Sequence, residues 1–230
     1  MKKKIEDIKR DVRIIVDEND EIDHLLEIED DPDALMTDEI TEAMVLRAID
    51  KVHQMAPLPM VAEMSKTLPL NTLQQDMQYG IRLTLPADWL RLVSAKMTGW
   101  QKVVTDAVDE DSREYLMQMS DFAGIRATAR KPVVAIVPNS HGAGMVLEAY
   151  PKGNDTTVSV RYVGMAEIKE TQDPGETDKT KKTEIATRCY DAVLYMIANL
   201  YLQSVGETEK AKVMAMECAE MLGLSGQEGV

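Results

Sequence analysis

The side chains able to make or break bonds, or to hold a metal, are few in this chain and far apart. There are three histidines, His24, His53 and His141, and two cysteines, Cys189 and Cys218. A zinc-type site needs such residues a few positions apart so that their donor atoms converge. None of these residues shares that spacing with another. His141-Gly142-Ala143-Gly144 has the outline of an oxyanion-stabilising loop, but that chemistry also needs a serine on a Gly-x-Ser-x-Gly elbow. The chain has no such elbow, so the stretch reads as a glycine-rich turn entering a strand at Met145. Neither a Walker-type phosphate loop nor a dinucleotide fingerprint is present. With 40 Asp and Glu residues, carboxylate pairs arise by chance and single out no general acid or base. A calcium loop between Asp17 and Glu39 fails on the required Asp/Asn spacing around a central glycine. The expectation is therefore no catalytic, no cofactor-binding and no metal-ligating residue, and no enzyme.

Charge narrows the partners. The formal net charge is −14, whereas gripping phosphates needs clustered Lys and Arg, because affinity comes largely from counterion release. An acidic surface instead repels DNA, which suits a protein past which DNA must slide. Cys189 and Cys218 lie in apolar helical patterns and read as reduced core thiols of a cytosolic protein. The Met1–Lys4 start is followed at once by Glu6, Asp7, Lys9, Arg10 and Asp11. This leaves no apolar stretch for a signal peptide, so the Asn154-Asp155-Thr156 sequon has no consequence. No run approaches a membrane span, and the expectation is a soluble protein made inside a cell. The 16 methionines against one Phe and two Trp serve either as plain core filler or as adaptable contact surface, since a flexible thioether suits both.

The elements follow from periodicity. Ile5, Ile8, Val12, Ile15 and Val16 form one stripe and predict a helix over 2–16. Twelve carboxylates and no Lys or Arg lie between Asp17 and Glu39, which predicts a solvated connector. A second helix is expected over 38–56, with Thr37 as its N-cap, Ile40, Met44, Ala48, Val52 and Met55 on one face, and Pro57 and Pro59 stopping it. The middle reads as strands at 81–85, 90–97, 133–137, 145–150 and 158–162, with a short helix at 111–119. Pro151-Lys152-Gly153-Asn154-Asp155 is expected to be the hairpin loop joining the last two strands. Residues 169–183, centred on Pro174-Gly175, read as an exposed linker open to proteases. A helical hairpin closes the chain. Its first stripe runs from Ile185 through Cys189 and Ala192 to Tyr201, and the second holds Ala211, Met214, Cys218, Met221 and Leu222, with Gly206 between. The first of these helices should pack on helix 38–56. The second is too short to stand alone, and needs packing either from its own chain or from a neighbour. The expectation is that residues 207–230 serve assembly more than folding.

The stretch Tyr79-Gly80-Ile81-Arg82-Leu83-Thr84-Leu85-Pro86-Ala87-Asp88-Trp89-Leu90-Arg91-Leu92-Val93-Ser94 and the closing helix from Arg188 to Glu207 resemble the head-to-tail adaptor proteins of short-tailed bacteriophages, also called connector ring or tail tubular proteins. Leu85 to Ser94 is similar in particular to ring proteins of the crAss-like gut phages. The resemblance covers residues 38–222, and the acidic stretch at 17–39 departs from smaller adaptors. It implies an α+β fold, with N-terminal helices and a C-terminal helical hairpin forming a bundle around an inserted antiparallel β-rich region. The corresponding organisation is an N-terminal helix and acidic connector at 1–37, an adaptor domain at 38–223 with its insert at 78–168, and a tail at 224–230. It further implies a virion protein at the head-tail junction, assembled in the host cytoplasm, with no active site, no cofactor and no membrane contact. The implied partners are eleven further copies in a twelve-membered ring, the portal protein, and a downstream tail or second ring protein. DNA passes through without specific binding during genome retention and ejection. A cytosolic protein-binding regulatory module and a small enzyme with a polar pocket stay open as alternatives.

Overall fold

A computed structural model of the chain describes residues 1–18, 42–69, 74–139, 142–153, 157–172 and 179–224. In chain order the elements are β1 (Lys2–Lys4), α1 (Ile5–Glu18), α2 (Glu42–Met55), α3 (Leu58–Val61), β2 (Ser65–Thr67), β3 (Gln74–Asp76), β4 (Ile81–Thr84) and β5 (Trp89–Met97). They continue with α4 (Arg113–Leu116), β6 (Val133–Pro138), β7 (Met145–Tyr150), β8 (Val158–Gly164), β9 (Ile168–Thr171), β10 (Thr180–Glu184), α5 (Tyr190–Ser204) and α6 (Thr208–Met221). The fold is α+β, and among the described residues the ladders between these strands are antiparallel. Two compact units emerge, Met1–Met64 with Ala166–Val230, and Ser65–Met165. The first unit thus joins the N-terminal helix to the C-terminal helices, and the second holds the strands β2 to β8.

In the first unit α1 buries Ile5, Ile8 and Val12, one stripe at helical spacing, with Glu6 and Asp7 at its positive end. The helix does not begin at residue 2, as periodicity suggested. Lys2–Lys4 run extended and pair with Lys182–Glu184 of β10, while Met1 O accepts from Ile185 N at 2.9 Å. Three lysines on an edge strand discourage further strand addition. β10 also pairs with β9, so Ile168–Thr171 and Thr180–Glu184 form a sheet where a linker over 169–183 was expected. Ladder bonds override polar composition here, and Thr183 is buried, its hydroxyl donating to Glu167 O at 3.0 Å. Residues 173–178, with Pro174-Gly175, lie outside the described residues.

Helix α2 buries Val45, Ala48, Ile49, Val52 and His53. Ala48 and Val52 match the expected stripe, but its centre is rotated: Val45 and Ile49 point inward and Met55 is exposed. Ile40 and the expected cap Thr37 lie outside the described residues. Helix α5 buries residues on nearly every side, from Ala192 to Leu202, because α1, α2 and α6 all pack on it. Helix α6 returns after Gly206, whose φ of +89° suits glycine, and lays Ala211, Met214 and Cys218 on α5. Asn199, buried in α5, ties the pair by donating to Ala211 O at 2.6 Å. The second closing helix is therefore packed by its own chain through Ala211, Met214, Cys218 and Leu222, whereas the expectation was that residues 207–230 serve assembly more than folding.

The second unit holds two sheets, in the orders β2-β8-β5 and β3-β4-β7-β6. The alternation of Ile81 and Leu83 in β4 and of Val160 and Tyr162 in β8 places these residues in one core with Leu92, Met97, Trp100, Leu147 and Ala149. Strand β7 pairs with β4 and β6, and β8 pairs with β5 and β2, so these two strands lie in different sheets and do not form the expected hairpin. Both edges of β7 are already taken by its sheet neighbours, which leaves no ladder position for β8. The hairpin partner of β7 is β6, turned by Gly142–Gly144. Asn139 N donates to Gly144 O at 3.0 Å, and Gly144 has φ +95°.

Candidate interaction surfaces

The second face of the four-stranded sheet organises the residues of interest. Along β7, Leu147 and Ala149 face the main core, while Val146, Glu148 and Tyr150 face a smaller cluster with Tyr115, Ala135 and Val137. Glu148 is fully buried. Its Oε1 accepts from Arg82 Nε at 2.9 Å and Nη2 at 2.6 Å, and its Oε2 accepts from Tyr150 at 2.6 Å. Tyr115 also hydrogen-bonds the carboxylate, and burial pushes its phenol up to about 12, with the Glu148 charge adding to the rise. Burial likewise raises Tyr150, which stays a neutral donor. Arg82 and Glu148 face each other across the β4–β7 ladder, so this closed network locks strand register, because a one-residue slip would leave a buried charge unpaired. Its carboxylate has no solvent access, which makes its role structural.

Tyr115 sits on α4, the lid over this face, with Ser112 capping the helix by accepting from Tyr115 N at 3.1 Å. The lid continues through two 3₁₀ turns, Met117–Met119 and Ala123–Ile125. Tyr115 and Gln118 point inward, Gln118 accepting from Ala127 N at 2.8 Å and donating to Glu114 O at 2.7 Å. The same lid presents Leu116, Met119, Phe122 and Ile125 to solvent, and Phe122, the single phenylalanine of the chain, is 76% exposed. Four large apolar side chains at three-residue spacing are thus exposed on one short lid, the kind of surface that marks an interaction site. Beside it lies a cleft of about 510 Å³ lined by residues including Tyr79, Gln118, Arg126, Pro151 and Lys152. Arg126 stacks its guanidinium 3.5 Å from the Tyr79 ring centroid, and its Nη1 is buried with no hydrogen-bond partner among the described residues. Lys152, in contrast, pairs with Asp76 at 2.8 Å. Next to Tyr79 the backbone makes a close approach at Gly80, where a Cβ would lie 2.6 Å from the Tyr150 ring.

The helical unit carries a second patch. The outward face of α6 shows Val213, Met216 and Met221, with Met216 71% exposed and Glu220 one turn beyond it. Glu209 on this helix pairs with Lys212 at 2.7 Å.

The motif Leu85-Pro86-Ala87-Asp88-Trp89 forms a structural corner. Trp89 N donates to Pro86 O at 3.1 Å and Trp89 stacks on Tyr162 with centroids 5.0 Å apart. Asp88 accepts from Lys66 at 2.7 Å and from Tyr162 at 3.2 Å, while its carbonyl accepts from Met165 N at 2.7 Å. These partners hold the Asp88 carboxyl below its ordinary range against the opposing effect of partial burial.

Of the histidines, His24 and His141 lie outside the described residues. His53 is buried, with its ring nitrogen accepting from Ala186 N at 3.2 Å, and burial lowers it to about 4. Cys189 and Cys218 are free and buried, and burial pushes each thiol up to about 11, which keeps them protonated and unreactive near neutral pH. Among the described residues no three His, Cys, Asp or Glu side chains converge to hold a metal ion. No helix among them is long and apolar enough to cross a membrane. Sequence reading missed Arg126 and the lid patch; the signal available for the patch was the period of three in Leu116, Met119, Phe122 and Ile125. Compared with protein-family models and with curated proteins, the chain matches none.

Proposed function

We propose that this chain is a structural subunit that assembles head-to-tail with copies of itself, as a ring-forming adaptor between the portal and the tail of a bacteriophage. The observation that carries the reading is a pair of dissimilar exposed apolar patches, one per unit: Leu116, Met119, Phe122 and Ile125 on the β-rich unit, and Val213, Met216 and Met221 on the helical unit. A head-to-tail contact needs two different complementary surfaces on every copy, and closure of that contact gives a ring. In this reading the helices form a bundle into which the β-rich region is inserted, so each part contributes one half of the contact. Twelve copies surround the channel below the portal, a further ring or tail protein docks beneath, and the net charge of −14 lets DNA pass without capture.

The test uses Phe122→Asp and Met216→Asp. Wild-type protein should sediment as a closed oligomer, alone or on addition of portal protein, and each variant alone should stay monomeric. An equimolar mixture of the two variants retains one intact contact and should stop at a heterodimer. Wild type that remains monomeric with and without portal sinks the reading.

A further inference from the structure

Resting on the self-assembly reading above, we infer that the cleft beside the lid patch receives the α6 face of a second copy, with Arg126 pairing to Glu220 of that copy at the centre of the contact. Arg126 is half-buried, lines the cleft, stacks on Tyr79 and, among the described residues, has no carboxylate partner. A cation partly removed from water without a counter-charge is a standing electrostatic cost that an incoming carboxylate relieves. Guanidinium presents its donors in a planar fork suited to that group. The lid patch next to it, with Phe122 and Ile125 closest in sequence to Arg126, requires that the same partner be apolar beside its carboxylate.

The α6 face meets both demands. Val213, Met216 and Glu220 fall at positions three and four apart, on one side of the helix, and all three are exposed. Among the described residues Glu220 has no ion pair or side-chain hydrogen bond, whereas Glu209 is already matched by Lys212. Met216 is unbranched and polarizable, and adapts to an aromatic neighbour such as Phe122. Each copy thus carries one unmatched cation beside an apolar patch and one unmatched anion beside another. A second copy of the chain is the occupant that satisfies both at once. Burying four apolar side chains of the lid against three of α6 excludes water around the ion pair, which is the arrangement in which a charge pair contributes to affinity.

The experiment is a charge exchange read by sedimentation velocity on the full-length protein. Arg126→Glu and Glu220→Arg should each weaken self-association about tenfold or more, since like charges across a contact are costly. The double variant Arg126→Glu/Glu220→Arg should restore it, because every head-to-tail contact then again pairs opposite charges. Arg126→Gln, which keeps the side-chain length, should weaken association less than Arg126→Glu. Circular dichroism melting of each variant must match wild type, and Glu220→Arg, on an exposed position, covers the case in which the Arg126 variants unfold. If wild type assembles and both single variants assemble equally well, or if the double variant stays as weak as the singles, the pairing is overturned while the self-assembly reading stands. If wild type never assembles, the self-assembly reading itself fails.

Discussion

At the scale of single residues, two buried polar groups control stability. Removing Arg82 leaves Glu148 as an unpaired charge inside the sheet, so Arg82→Ala is expected to cost about 3–5 kcal/mol, measured by urea unfolding. Arg82→Ala is expected to cost more than Asp88→Ala, where exposed partners limit the loss to about 1–2 kcal/mol. His53 supplies a pH dependence. Its folded value of about 4 lies below its ordinary 6.5, so the unfolded chain binds the extra proton first as the medium acidifies. Stability is then fully present above pH 6.5 and falls progressively towards pH 4, by up to about 3 kcal/mol for this group alone. Thermal melting of His53→Gln over that window should show a flatter dependence than wild type. An equally steep dependence would assign the acid sensitivity to other groups.

At the scale of elements, α6 buries one face in the core and leaves the other exposed. Truncation after Gly206 strips Met214, Cys218 and Leu222 from the core. It should therefore unfold the helical unit or lower its melting temperature by many degrees. Met216→Asp, on the outward face, should leave melting within about 0.5 kcal/mol of wild type and act on assembly alone. The sheet β1-β10-β9 makes a similarly local distinction. Lys169, Lys181 and Lys182 lie in paired strands, and Lys179 precedes β10. Limited trypsin digestion should cut after Lys179 well before the other three, because a protease needs an unpaired, extended substrate backbone. Equal cutting at all four would mean that the ladder opens readily in solution.

At the scale of the whole molecule, charge and surface pattern act together. The net charge of −14 predicts that isolated protein leaves duplex DNA unshifted in a gel at near-physiological salt, and tight, salt-sensitive retention would count against a channel role. The same charge opposes indiscriminate clumping, so the proposed contact between copies has to come from local patches where apolar area and charge coincide. The lid patch with Arg126 and the α6 face with Glu220 are two such places.

Element type was largely legible in the sequence. The stripe of Ile5, Ile8 and Val12, the alternation in β4 and β8, and the helical hairpin broken at Gly206 each repeat one environment at short range, and a helix or strand needs no more than that to declare its period. Partner choice was not legible. Nothing local to Lys2–Lys4 says that a strand near residue 183 awaits it, and nothing in Met145–Tyr150 says that both edges are filled by β4 and β6. The same holds for the face that α2 buries, decided by the helices packed on it, and for Glu148, whose alternating position resembles a solvent-facing one until Arg82, Tyr115 and Tyr150 surround it. Arg126 is one basic residue among 26, and only the folded lid sets it over Tyr79, with no carboxylate beside it among the described residues. Periodicity is a property of neighbours along the chain, whereas pairing, burial of charge and exposed contact surface depend on residues brought together from far apart, and those only tertiary structure decides.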